Sequence, residues 1–137
     1  MHKILLVSVV LFSLFLSLPT QAEECFYRYP AIVTAVYDAD TITVDINLGL
    51  EVWKRGEKIR LARIDAPEMK GKEKAAGTVS RDWLRSQILN RNVTIQTDKD
   101  KKGKYGRYIG EVFWGAINMS DALVKRRLAV YKDYDNG

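Results

Sequence analysis

Apolar and polar positions alternate with a period of two over much of the chain. Residues 31–37 and 41–46 are rich in β-branched side chains, and Ile42, Val44 and Ile46 share one face of the second run, so both are predicted as strands. Asp38-Ala39-Asp40 is the tight polar connection between them. A third strand is expected over residues 58–64, after a turn around Lys54-Arg55-Gly56, and Pro67 ends it because proline fixes its own φ and restricts the residue before it. Over residues 72–89 the period lengthens. Ala76, Val79, Trp83, Leu84 and Ile88 recur at helical spacing, with Trp83 as the anchor into a core. Residues 93–97 and 107–114 read as strands four and five. A second helix is expected over residues 118–128, capped by Asn118 or Ser120.

Three strands, a helix, two strands and a helix predict an α+β, mainly β domain: a small five-stranded barrel of the OB type with two helices. No internal repeat or low-complexity linker interrupts it.

The start of the chain follows another pattern. Met1-His2-Lys3 precedes an apolar run over residues 4–18 broken only by Ser8, Ser13 and Ser17, and Pro19-Thr20-Gln21-Ala22 offers small residues for cleavage after Ala22. This reads as a secretory signal peptide over residues 1–22, its apolar core shorter than the roughly 20 residues that span a bilayer. Residues 23–137 would then form one mature domain, secreted or periplasmic, with no stable membrane association.

Removing the leader also removes His2, the only histidine of the 137 residues, and leaves Cys25 as the only cysteine. Histidine triads, His-ligated zinc and an internal disulfide are thereby excluded, and catalysis would fall to carboxylates, Arg, Lys, Tyr or a metal held by oxygen.

Four acidic positions stand at strand ends: Asp38 and Asp40 in the first turn, Asp65 and Glu68 around Ala66-Pro67. Each could simply form a turn or a surface ion pair. Asp40, however, shares parity with Ile42, Val44 and Ile46, which places it at the mouth of the barrel, and carboxylates gathered there without histidine or thiolate suit a hard cation, Ca²⁺ or Mg²⁺. Arg60 and Arg107 add two guanidinium forks, each matched to two oxygens of a phosphodiester. Strict alternation separates Arg60 from Asp65, so a shared site requires a bend or bulge before Asp65. The net charge of +5 has the same implication. Lys99, Lys101, Lys102, Lys104 and Arg107 form a basic approach, and Lys125, Arg126 and Arg127 form a second cluster that is either a phosphate-binding or merely a solvated face.

Asp38-Ala39-Asp40-Thr41, Ile59-Arg60-Leu61-Ala62-Arg63-Ile64-Asp65-Ala66-Pro67-Glu68, Lys104-Tyr105-Gly106-Arg107 and Asp121-Ala122-Leu123-Val124 with Leu128-Ala129, in this order, resemble the staphylococcal nuclease (thermonuclease) family. The resemblance covers residues 30–131. It implies a Ca²⁺-dependent, sugar-nonspecific nuclease on a five-stranded OB-type barrel, acting as a monomer on single-stranded or frayed DNA and RNA without sequence preference. Asp40 and Asp65 would ligate Ca²⁺ with the carbonyl of Ala66. Arg60 and Arg107 would clamp phosphate, and Glu68 would orient or deprotonate the attacking water. Lys104, Tyr105 and Tyr131 would lie along the nucleotide. Ala39 replaces a usual Gly and Ala66 a common Thr, and family members usually continue into a third C-terminal helix beyond the matched region. The competing expectation is an OB-type nucleic-acid-binding module without catalysis, and the presence of both arginines, both aspartates and Glu68 favours the enzyme.

Overall fold

The structure, a computed structural model, describes residues 27–97 and 105–133. The leader, Cys25, Lys99, Lys101, Lys102 and Lys104 lie outside the described residues.

Strands β1 (Tyr27–Asp38), β2 (Thr41–Asn47) and β3 (Trp53–Leu61) form an antiparallel meander. A two-residue strand, β4 (Ile64–Asp65), leads through a 3₁₀ turn (Gly71–Glu73) into helix α1 (Lys74–Ile88). Strands β5 (Asn92–Thr97) and β6 (Tyr108–Trp114) follow, then β7 (Ile117–Asn118), helix α2 (Met119–Lys125) and β8 (Val130–Tyr131). The sheet order β3-β2-β1-β5-β6 closes on itself through parallel pairing of β3 with β6, giving the expected five-stranded barrel. β8 pairs with β4 beside it.

The predicted parity holds inside the barrel. Val33, Ile42, Val44, Ile59, Leu61, Ile95 and Val112 are fully buried, and Leu84, Ile88, Met119 and Leu123 plug it from the helices. Each such side chain contributes about 1.5–3 kcal/mol relative to exposure.

Four expectations are corrected. The turn between β2 and β3 lies over residues 48–52, closed by hydrogen bonds between Leu48 and Val52 and from Val52 to Gly49, whereas Lys54-Arg55-Gly56 is inside β3. There Gly56 takes φ +68° beside a register shift, and Asp45 accepts from its amide at 2.9 Å and from Arg55 at 2.7 Å. The glycine marks a bulge.

The third strand ends at Leu61. Arg63 takes φ +64°, and β4 begins after it, which supplies the bend required to bring Asp65 to the side of Arg60. In α1 the buried face is Gly77, Ser80, Leu84 and Ile88, while Val79 is 60% exposed and Ala76 is exposed. Small residues face inward because two other segments press on the helix. The Ser80 hydroxyl donates to the Leu128 carbonyl at 2.7 Å, and a Cβ at Gly77 would lie 2.8 Å from the Pro67 carbonyl oxygen and closer still to that of Glu68. Finally, α2 stops at Lys125 because Arg127 adopts φ +60°. Its start is capped by Asn118, whose side chain accepts from the amides of Ser120 and Asp121.

Candidate active site

Three chain segments meet at one rim of the barrel: the β1–β2 turn, the end of β3 with β4, and the start of β6. The turn is set by Asp38, whose Oδ1 accepts from the Asp40 amide at 3.1 Å. Ala39 keeps ordinary negative φ, so the turn does not require glycine there. Cross-strand register then places Asp38 opposite Thr41 and Thr41 opposite Arg60.

Asp40 and Arg60 are only 7% and 8% exposed. Asp40 Oδ2 lies 2.5 Å from Arg60 Nη1 and accepts from the Ala66 amide at 2.9 Å, while Oδ1 accepts from the Thr41 hydroxyl at 3.3 Å. Arg60 Nη1 also donates to the Asp40 carbonyl, and Nη2 donates to the Ile64 carbonyl at 3.2 Å and to Asp65 Oδ1 at 3.4 Å. One guanidinium thus joins the two aspartates. A buried pair of this kind is costly to break from one side because the remaining charge is left in a low-dielectric setting.

Thr41 extends the network. Its hydroxyl accepts from Arg107 Nη1 at 3.2 Å while donating to Asp40, and the Arg107 guanidinium lies 5.2 Å from the Tyr105 ring centroid. Burial, then hydrogen bonding to and the charge of Asp40, push the Asp38 carboxyl up to about 6. Carboxylates gathered on oxygen donors alone suit a hard cation. Among the described residues no three acidic, His or Cys side chains form a ready metal cluster. Asp40, Asp65 and the Ala66 carbonyl could therefore hold such an ion only as an open site, with water and phosphate oxygens completing it.

The Ala66-Pro67-Glu68 loop is fixed by the Ala66–Asp40 hydrogen bond, by the close approach of Gly77 and by the Glu68 amide, which donates to Glu73 at 3.0 Å. Glu68 itself is exposed. A groove of about 760 Å³ includes Asp38, Thr41, Lys58, Lys70, Tyr105 and Arg107. A smaller, open pocket of about 290 Å³ is lined by residues that include Tyr29, Ile46, Lys54, Ile59, Ile95 and Tyr108.

Asp40, Arg60, Asp65 and Ala66 are in direct contact, Arg107 joins through Thr41, and Tyr105 reaches the groove. Tyr131, on β8, pairs with Ile64 of β4, next to Asp65; its hydroxyl donates to Asp121 at 2.9 Å, and the Arg63 guanidinium lies 5.7 Å from its ring. Arg63 also binds Glu111 through two nitrogens and Asp121 at 2.9 Å, which raises its pKa above the usual guanidinium value, chiefly through Glu111.

Two neighbours escaped the sequence reading. Thr41 lay within a quoted motif but carried no charge to single it out. Lys132 donates to Asp65 Oδ2 at 3.2 Å through a pairing of β4 with β8 that no local pattern signals.

Residues 58–137 match the family model described as staphylococcal nuclease homologue. An uncharacterized endonuclease of Haemophilus influenzae is 30% identical over 98% of this chain and 68% of its own length. A thermonuclease of Staphylococcus hyicus is 29% identical over 84% of this chain and 64% of its length, and an uncharacterized endonuclease of Escherichia coli is 31% identical over 75% and 61%. The chain spans about two thirds of the length of these relatives.

Proposed function

From the premise that the chain belongs to the staphylococcal nuclease homologue family, we propose that it is a Ca²⁺-dependent, sugar-nonspecific nuclease that hydrolyses phosphodiester bonds of DNA and RNA. The observation that carries this reading is the junction of Asp40, Asp65 and Arg60 at the barrel rim, tied through Thr41 to Arg107 above an open groove.

Phosphodiester hydrolysis gives the protein mainly positioning and charge stabilisation to do. Arg107 stands at the groove with its planar fork available in kind to two phosphate oxygens, and Arg60 fixes both aspartates while contributing positive charge beneath them. Glu68 accepts a hydrogen bond or proton from the attacking water, which enters in line with the departing 5′-oxygen. Lys104 and Tyr105 accompany the nucleotide. When bound at Asp40, Asp65 and the Ala66 carbonyl, Ca²⁺ would supply Lewis-acid stabilisation of the charge developing on the phosphoryl oxygens. Most of the acceleration comes from the cationic groups.

Our reading places the mature chain, residues 23–137, outside the cytoplasm as a monomer acting on single-stranded or frayed nucleic acid. The test is incubation of the protein with single-stranded DNA and with RNA, in Ca²⁺, in Mg²⁺ and in chelator. Cleavage in Ca²⁺ that chelator abolishes is expected. Tight binding without cleavage in either metal would replace the enzyme by the OB-type binding module.

A further inference from the structure

Tyr37 is the feature of this rim that packing does not explain. In the β1–β2 ladder Val36 pairs with Ile42 and Asp38 with Thr41, so β1 carries one residue more than β2 and Tyr37 is the extra one. Such a bulge re-aims a side chain out of the pleat. The ring is 72% exposed immediately before Asp38, although tyrosine has a large apolar body that folding would ordinarily cover.

The groove that includes Asp38, Thr41 and Arg107 also takes in Tyr37. Ala35 is opposite Thr43 and Thr43 opposite Lys58, one row of small and cationic side chains across the outer face of the sheet. Lys58 stands two residues before Arg60 on the same face of β3, roughly 7 Å along the strand. Lys70, just after the Glu68 loop, faces the groove from the other wall, and both lysines are exposed. Tyr105, 69% exposed, lines the same groove beside Arg107. The groove therefore presents two exposed tyrosine rings together with Lys58, Lys70 and Arg107.

We propose that Tyr37, Lys58 and Lys70 form a second nucleotide subsite for single-stranded polynucleotide. Tyr37 stacks on the base beyond the one beside Tyr105, and the lysines hold the adjoining phosphate. Stacking on an aromatic face tolerates any base but needs bases splayed out of a duplex, so the subsite selects single strands without reading sequence. The assignment rests on the nuclease reading of the neighbouring carboxylates for the direction of the strand, but its own chemistry is binding.

The experiment measures fluorescence anisotropy of a labelled single-stranded octanucleotide with the full chain in chelator, alongside cleavage of the same strand in Ca²⁺. Tyr37→Ala should weaken octanucleotide binding about 5- to 150-fold, the range for loss of one stacked base, and Tyr37→Phe should restore it. Lys58→Gln should lower the slope of log K against log salt by about 0.7, the single-strand value for one phosphate contact. A dinucleotide should lose less affinity than the octanucleotide in Tyr37→Ala. Equal binding of the octanucleotide by wild type and Tyr37→Ala, or equal affinity of the wild type for duplex and single strand, would overturn the subsite. If Tyr37→Ala weakens binding but the wild type cleaves nothing, the subsite stands and the nuclease reading falls. Cleavage by a wild type whose binding Tyr37→Ala leaves untouched gives the reverse.

Discussion

Gly77→Ala adds one methyl group to a helix and tests whether α1 sets the position of Glu68. In isolation the change favours the helix by about 0.5–1 kcal/mol, because glycine loses more backbone freedom on folding. The structure opposes it. The new Cβ would stand 2.8 Å from the Pro67 carbonyl oxygen and closer to that of Glu68, both backbone atoms, where ordinary contact begins at 3.4 Å. Relief requires the helix and the loop to part by something on the order of 1 Å, and overpacking of this kind costs ~1–3 kcal/mol. Set against the helical gain, the net effect is about 0–2.5 kcal/mol of destabilisation, a few degrees in Tm. In the proposed reading Glu68 positions the attacking water, so activity should respond more strongly: a displacement of 1 Å at such a group costs about 10²-fold. Urea unfolding and kcat on single-stranded DNA in Ca²⁺, measured on the same preparation, separate the two effects. A variant more stable than wild type with undiminished kcat would show that the loop has slack, and would refute the claim that this contact fixes Glu68.

Arg60→Ala leaves Asp40 charged and largely enclosed, and should cost ~3–5 kcal/mol in denaturant unfolding, far more than removal of an exposed arginine. Arg107→Lys keeps the charge but loses the planar fork, and should lower kcat about 10²- to 10³-fold in a nuclease assay with folding unaltered. Asp40→Ala should weaken Ca²⁺ binding in calorimetry, and unchanged affinity would remove Asp40 from the metal site. Glu68→Gln should reduce kcat while leaving the affinity for uncleaved oligonucleotide in place. Asn118→Ala removes the cap from α2 and should cost about 1 kcal/mol without touching the groove.

The barrel was readable because its signal is local. Ile42, Val44 and Ile46 alternate within one strand, and the same parity placed Asp40 at the rim before any contact was known. The misread turn shows where that logic ends: Gly56 carries the sign of a turn, but a bulge makes the same conformational demand, and only pairing with Asp45 distinguishes them. In α1 the apolar pattern pointed to Val79, whereas the buried positions Gly77 and Ser80 were selected for size, by a loop and a carbonyl from elsewhere in the chain. The charged site residues stood out by chemistry. Thr41 did not, since its value lies in facing Asp40 and Arg107 at once, and Lys132 reaches Asp65 only through the small β4–β8 pairing.

The parallel seam between β3 and β6 gives the molecule a kinetic character as well as a shape. Ile59, Arg60 and Leu61 meet Tyr108, Ile109 and Gly110 there, across a long intervening stretch that includes α1 and β5. Contacts of such sequence separation are slow to form, because loop closure must be met before they return anything. Arg60 lies on that seam and Arg107 directly precedes it. A nascent chain holds both arginines before it can hold them together. In the reading proposed here, hydrolytic power is therefore latent in the nascent polypeptide and waits on closure of this seam, which makes the onset of activity a readout of barrel closure.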